Sequence, residues 1–172
     1  MQGNLYNTAA PVLVTGATGY VASWIVKRLL DKGFTVHAAI RNPSNTDKLK
    51  HLNTLGASAP GNIKYFQADL LTESSYADAM QSCEVDFHTA SPFSLSTENP
   101  QKELIDPALK GTRNVITQAN RTQSVQRVIL TSSVAAIYGD VADLSSAKGN
   151  QFTEADWNTS SSLTHQPYSY SK

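Results

Sequence analysis

At 172 residues and 18.6 kDa the chain suits one domain with a real core and is short for a two-domain enzyme. Lys plus Arg equals Asp plus Glu at 14 each, so no net field draws it to nucleic acid or to an acidic membrane. The single cysteine, Cys83, excludes an internal disulfide, and neither the polar start "MQGNLYNTAAP" nor any later stretch resembles a signal peptide or membrane span. A cytoplasmic protein is expected. The histidines at 37, 51, 88 and 165 lack the company of a zinc site, so no metal is expected.

In chain order, the β-branched run "VLVTG" (12–16) predicts a first strand, and a helix over about 20–32 follows. In that helix Val21, Ile25 and Leu29 form one i, i+4 row with Val26 and Leu30 beside it, and Gly33 ends it as a C-cap should. The row predicts an apolar stripe lying on a sheet. Further strands are predicted at "TVHAAI" (35–40), "IKYFQA" (63–68), "VDFHTA" (85–90) and "VQRVILTSS" (125–133). Continuous apolarity implies strands covered on both faces, and helical segments between them imply βαβ crossovers, so an α/β, doubly wound parallel sheet is expected. Asn99-Pro100 reads as an N-cap and first helical residue of a helix running to about 120, with a kink at Pro107. From Asp140 to Pro167 the pattern dissolves into Ser, Thr, Asn and Asp, which predicts a surface loop.

The turn after the first strand carries the first chemistry. Gly16, Gly19 and Ala22 form G-x-x-G-x-x-A between a strand and a helix. Glycines there allow a sharp turn and let a pyrophosphate approach the amides at the helix N-terminus, while Ala22 need only be small enough for the helix to sit near the strand. A bare strand-to-helix turn is the competing reading, and a dinucleotide is favoured. After the second strand, "AAIRN" holds Arg41 where an NAD site would place a carboxylate, and Lys48 follows in the next helix. Those cations suit a 2′-phosphate, so NADP(H) is the expected cofactor.

The chain closes on "QPYSYSK", in which Tyr168 precedes Lys172 by four residues. That spacing alone decides nothing. On a helix, however, the two share a face, so the ammonium favours the phenolate and equips the tyrosine to protonate a carbonyl oxygen. Ser133, read at the carboxyl end of the fifth strand, would donate a hydrogen bond to the same oxygen. For Ser133 alone, strand-end capping is an equal explanation.

The segments "VTGATGYVASW", "IRNPSN", "ADL", "FHTASPF", "GTRNVI", "LTSSVAA" and "YSYSK" together resemble the extended short-chain dehydrogenase/reductases, in particular the dihydroflavonol 4-reductase-like branch with its aldehyde and cinnamoyl-CoA-type reductases. The resemblance runs from about residue 11 to Lys172 and implies a Rossmann-type fold. It implies that the backbone of Gly16, Ala17, Thr18, Gly19, Tyr20 and Val21 holds the pyrophosphate, Arg41 and Lys48 the 2′-phosphate, and Asp69 with Leu70 the adenine. Thr89, Ala90 and Ser91 would line the path to the nicotinamide ribose. Ser133, Tyr168 and Lys172 match the catalytic trio, Tyr168 and Lys172 also meeting the cofactor.

Ala22 departs from the more common third glycine. Members of the family continue for roughly as many residues again, so the resemblance implies an N-terminal fragment, truncated after the Tyr-Lys motif and weak or inactive alone. An uncovered edge strand would then invite self-association. The expected activity of the parent is NADPH-dependent reduction of a small-molecule aldehyde or ketone. The alternatives are a nucleotide-sugar epimerase or dehydratase, against which Arg41 and the acid-free "SVAA" argue, and a non-catalytic NADP-binding module, against which the retained Tyr-Lys pair argues.

Overall fold

The computed structural model describes residues 8–94 and 96–172; most of the polar start, residues 1–7, lies outside the described residues. β1 (Val12–Thr15), β2 (Thr35–Ile40), β3 (Asn62–Gln67), β4 (Val85–His88) and β5 (Arg127–Leu130) form one parallel sheet in the order β3-β2-β1-β4-β5. The chain winds outward from β1 to β3 and then returns to the other side of β1, the expected doubly wound topology of a Rossmann-like fold. Thr15 stands opposite both Ala39 and His88, so β1, β2 and β4 finish level at one carboxyl edge.

Strand alternation sorts the core into two layers. Val14, Val36, Ala38 and Ile40 pack with α1 (Tyr20–Asp31) and α2 (Thr46–Ser58), whereas Leu13 and Ala39 pack with Met80 of α3 (Ala77–Met80), with Cys83, and with Val115 and Ala119 of α4 (Asp106–Arg121). β1 and β2 are covered on both faces, as continuous apolarity predicts. β5 is not: Ile129 and Leu130 at this sheet edge are exposed.

α1 corrects one expectation. Its buried row is Ala22, Val26 and Leu30, while Val21 is 54% exposed and Ile25 and Leu29 are half-buried. Two adjacent i, i+4 rows are apolar, so periodicity alone does not choose between them; the small Ala22 decides, because it lets the helix lie close to the strand. The outer row, with Trp24, lines an open pocket of about 600 Å³ together with Val12, Val85 and Phe87. The helix ends as expected, with Gly33 at φ +83° and the Gly33 and Phe34 amides donating to the Leu30 and Leu29 carbonyls.

By contact density the chain forms two compact units. One comprises the residues up to Ala90 and Thr112–Leu130; the other comprises Ser91–Gly111 and Thr131–Lys172. In the second, the Asn99 side chain accepts from the Lys102 amide while Glu103 accepts from the Asn99 amide, a reciprocal cap. Ahead of Pro107, where a kink is expected, the structure has a π-helical turn over Gln101–Ile105, and α4 then runs through the proline. A widened turn there accommodates a ring that would otherwise meet the carbonyl four residues back. Residues 140–166 hold only 3₁₀ turns and one isolated bridge between Ser162 and His165, as a loop should.

The two rows of α1 give opposite predictions. Leu30→Ala, at a fully buried position, should cost about 2–5 kcal/mol in urea unfolding, whereas Val21→Ala should stay within about 0.5 kcal/mol. Equal losses would return the Val21 row to the core.

Candidate active site

The first unit assembles the glycine turn. β1 stops at Thr15, and Gly16 adopts φ +64°, the left-handed region open to glycine. A Cβ on Gly16 would lie 3.0 Å from the Ala90 Cα, and one on Gly19 would lie 3.2 Å from the Gly16 carbonyl oxygen. Gly16 therefore needs glycine for conformation and proximity, whereas Gly19, at φ -76°, has only a tight approach to the Gly16 carbonyl. The turn closes through the Gly19 amide on the Gly16 carbonyl at 2.8 Å, and Ala17 anchors it by donating to the Ala39 carbonyl at 3.3 Å. Gly19 caps α1 without a side chain, so no protein group competes for the first-turn amides. Tyr20 and Val21 expose their side chains. This cradle fits a pyrophosphate: it is narrow and set at a positive helix end that no side chain caps.

The remaining first-unit candidates lie along the same carboxyl edge. Arg41 follows β2 directly and is exposed. Lys48, also exposed, sits in the first turn of α2, where its amide is capped by Asn45 at 3.1 Å. The nearby carboxylate of Asp47 is occupied by Lys50 at 2.7 Å, which leaves the two cations suited to a phosphate. Asp69 follows β3; one carboxylate oxygen accepts from the Leu71 amide at 2.8 Å, while the Leu70 carbonyl accepts from Asn114. Asn114 thus ties α4 to the β3 loop, a structural duty that its place in the helix did not announce. Thr89 and Ala90 both donate their amides to the Thr15 hydroxyl at 3.1 Å.

The second unit assembles Ser91, Ser133, Tyr168 and Lys172. α5 (Pro167–Tyr170) is a single turn that places the Lys172 Nζ 4.8 Å from the centroid of the Tyr168 ring. That ammonium also donates to the Ser91 hydroxyl at 2.5 Å, and burial pulls its pKa below the ordinary lysine value. The far side of Tyr168 meets Phe93 edge-on at a centroid distance of 5.1 Å. Ser133 corrects the sequence reading. β5 ends at Leu130, and Ser133 instead N-caps a 3₁₀ turn over Val134–Ala136, its oxygen accepting from the Ala135 amide at 3.2 Å. A hydroxyl that accepts in this way keeps its own proton free to donate.

Residues absent from the sequence reading hold this unit in place. The Asn158 amide side chain and backbone donate to the carbonyls of Ala135 and Ala136 at 2.8 and 2.9 Å, fixing the Ser133 turn. Asp140 accepts from His165 at 2.7 Å and from Gln166 at 2.6 Å, just before α5. Asp143 accepts from the Gly139 and Asp140 amides and from the Ser160 hydroxyl, which together hold its carboxyl below the usual range. Short polar residues look like loop in sequence; only the fold shows which of them act as braces. Among the described residues no three His, Cys, Asp or Glu side chains converge as metal ligands, and no helix is long and apolar enough to cross a membrane.

A five-stranded doubly wound sheet with a glycine turn at its switch point defines a Rossmann-type α/β protein. The chain belongs to the NAD dependent epimerase/dehydratase family, whose model matches residues 12–172. It is 47% identical over 131 residues to cinnamoyl-CoA reductase CAD2 of Medicago truncatula, covering 76% of this chain and 40% of that protein. It is 34% identical over 166 residues to dihydroflavonol 4-reductase of Gerbera hybrida, covering 96% and 45%. Among solved structures it resembles yeast methylglyoxal/isovaleraldehyde reductase Gre2 complexed with NADPH, with a TM-score of 0.77 and 26% identity over 94% of this chain and 49% of that one. The chain spans about half the length of these relatives.

Gly16→Ala would force a Cβ into the left-handed region and against Ala90. A loss of at least about 1–2 kcal/mol is expected in chemical denaturation. An unchanged midpoint would show that the turn is not held as described.

Proposed function

We propose that this chain is the cofactor-binding and proton-donating part of an NADPH-dependent reductase that converts an aldehyde or ketone to an alcohol. One observation carries the reading: a lysine ammonium, partly desolvated, poised over the ring of the tyrosine four residues before it. The reductase relatives support the reaction class, and the NADPH complex of the yeast relative supports the cofactor.

When bound, NADPH supplies the hydride that reaches the carbonyl carbon. Tyr168 gives its phenolic proton to the carbonyl oxygen, so the product is the alcohol. Lys172 stabilises the phenolate left behind, and Ser133 donates its free hydroxyl proton to the oxygen as charge develops there. Lys172 and Ser91 meet the nicotinamide ribose. The backbone from Gly16 to Val21, apart from the Ala17 and Gly19 amides that already donate to Ala39 and Gly16, would hold the pyrophosphate, Thr89, Ala90 and Ser91 would line the path to the nicotinamide ribose, and Asp69 with Leu70 would serve the adenine. Arg41, with Lys48, selects NADPH by pairing with the 2′-phosphate. The reading includes a cytoplasmic location, a small-molecule partner, and self-association along the exposed edge at Ile129 and Leu130.

Steady-state carbonyl reduction by the protein and by a form extended to the length of its relatives tests the chemistry. Tyr168→Phe should lower kcat by about 10²–10⁴-fold with KM for NADPH little changed. Full retention of kcat in the phenylalanine variant would exclude Tyr168 as the acid. Arg41→Ala should raise KM for NADPH about tenfold or more while leaving NADH kinetics unaltered, as expected for a lost charge-assisted pair. An equal effect on both cofactors would remove Arg41 from the phosphate site.

A further inference from the structure

The core of the first unit holds a carboxyl group that the proposed chemistry does not use. Asp86 is the second residue of β4, opposite Leu13 of β1 and Val128 of β5. It is fully buried, and neither carboxyl oxygen has a hydrogen-bond partner among the described residues. Val85 and Phe87 line the pocket beside α1, so alternation turns Asp86 and His88 to the opposite layer. Among the described residues no charged partner balances Asp86; the cation in its row of the sheet is Lys64 of β3, three strands away and opposite His37. β1 brings Leu13 and Thr15, β5 brings Val128, and α4 brings Val115 and Ala119. The titratable neighbours are Cys83, whose thiol burial and the nearby Asp86 push up to about 12, His37 beyond it at 3.4 Å from the sulfur, and His88.

His88 is equally confined, with 1% of its surface exposed and its Nε2 lacking a partner. Its Nδ1 lies 2.8 Å from the Thr15 hydroxyl oxygen, which already accepts the amides of Thr89 and Ala90 at 3.1 Å each. With both lone pairs taken, that hydroxyl donates to Nδ1, and the ring proton must sit on Nε2. Two unpaired groups thus share one face of β4, two residues apart: a carboxyl and an N–H donor. The donor's ring is bonded to the hydroxyl that holds Thr89 and Ala90.

We propose that Asp86 and His88 form a proton switch in the core: loss of the Asp86 proton draws the Nε2–H of His88 toward the carboxylate and strains the Thr15 bonds that hold Thr89 and Ala90 beside Gly16. Burial supports the pairing, pushing Asp86 up to about 7 and His88 down to about 4. Because the Asp86 value is raised above its ordinary 3.8, its contribution to stability is complete below that value and is lost as pH rises to about 7. Because the His88 value is depressed from 6.5, its contribution is complete above 6.5 and is lost as pH falls to about 4. The two slopes oppose each other between those limits, and Asp86 alone governs the region near neutrality. The switch acts on the fold itself and stands whether or not the turn takes a dinucleotide.

Carbon-detected NMR of the 172-residue chain titrates the Asp86 carboxyl directly, and amide exchange reads Thr89 and Ala90. The carboxyl should titrate near neutrality. Between about pH 6 and 8, exchange at Thr89 and Ala90 should rise about tenfold beyond hydroxide catalysis, and Asp86→Asn should abolish that excess. Asp86→Leu serves the same comparison if the asparagine variant does not fold. A carboxyl titrating below about pH 5, no excess exchange in the native chain, or an excess that persists in the variants would each overturn the switch.

Discussion

The junction of β1 and β4 at the carboxyl edge of the sheet hangs on one side chain, Thr15. Its hydroxyl accepts two amides and meets the His88 ring, while its carbonyl accepts the Thr89 hydroxyl at 2.5 Å. Backbone pairing between β1 and β4 ends at Thr15 and His88, and just beyond it Gly16 must turn away in a left-handed conformation. The hydroxyl replaces the ladder at the point where the ladder stops. It holds Thr89 and Ala90 close enough that a Cβ on Gly16 would press on Ala90. A turn so narrow leads into a helix start that no side chain caps, which is a chemical property as well as a shape.

The second unit achieves order by other means. Its core is thin, and Trp157, Val141 and Val134 are exposed. What fixes it is a set of short acceptors, each serving several donors: Asp143 for Gly139, Asp140 and Ser160, and Asp140 for His165 and Gln166. Gln166 enters α5 with φ +53°, a conformation that costs a non-glycine residue something and persists only where surrounding bonds determine it. The Asp140 bond to the Gln166 side chain is such a bond. The position of Tyr168 is therefore set by residues more than twenty positions earlier in the chain.

How much of this was legible in the sequence follows from the range of the interactions. β2 was read at its observed limits, and the Gly33 cap was read from one residue, because both depend on neighbours in sequence. The glycine turn was legible for the same reason, since φ at Gly16 and the helix start at Tyr20 are local. The choice between the Val21 and Val26 rows was not, because it depends on how closely α1 approaches β1. Ser133 was placed on a strand because "VQRVILTSS" is uniformly β-prone, yet pairing with β4 ends at Leu130. Asn158, Asp140 and His88 carry no local signature at all. Their partners lie 23, 25 and 73 positions away, and only the fold brings them together.

The proposed reduction is also the reaction for which the second unit is best equipped. Reducing a carbonyl needs one proton at oxygen and a group to steady the charge left on the donor; in the proposed reading Tyr168 and Lys172 supply both. Eliminating water from a sugar needs in addition an acid or base to act at carbon, and the residues after Ser133 are Val134, Ala135 and Ala136, which form the 3₁₀ turn and carry nothing ionisable. The Ser133 oxygen accepts from the Ala135 amide, which suits it to the charge-stabilising role proposed for it rather than to removing a proton. In the proposed reading Tyr168, Lys172 and Ser133 give this unit the donor, the cation and the fixed hydroxyl that a reduction requires once a hydride arrives, whereas an elimination would have to recruit Glu154 or Asp156, which line the pocket beside Ser133.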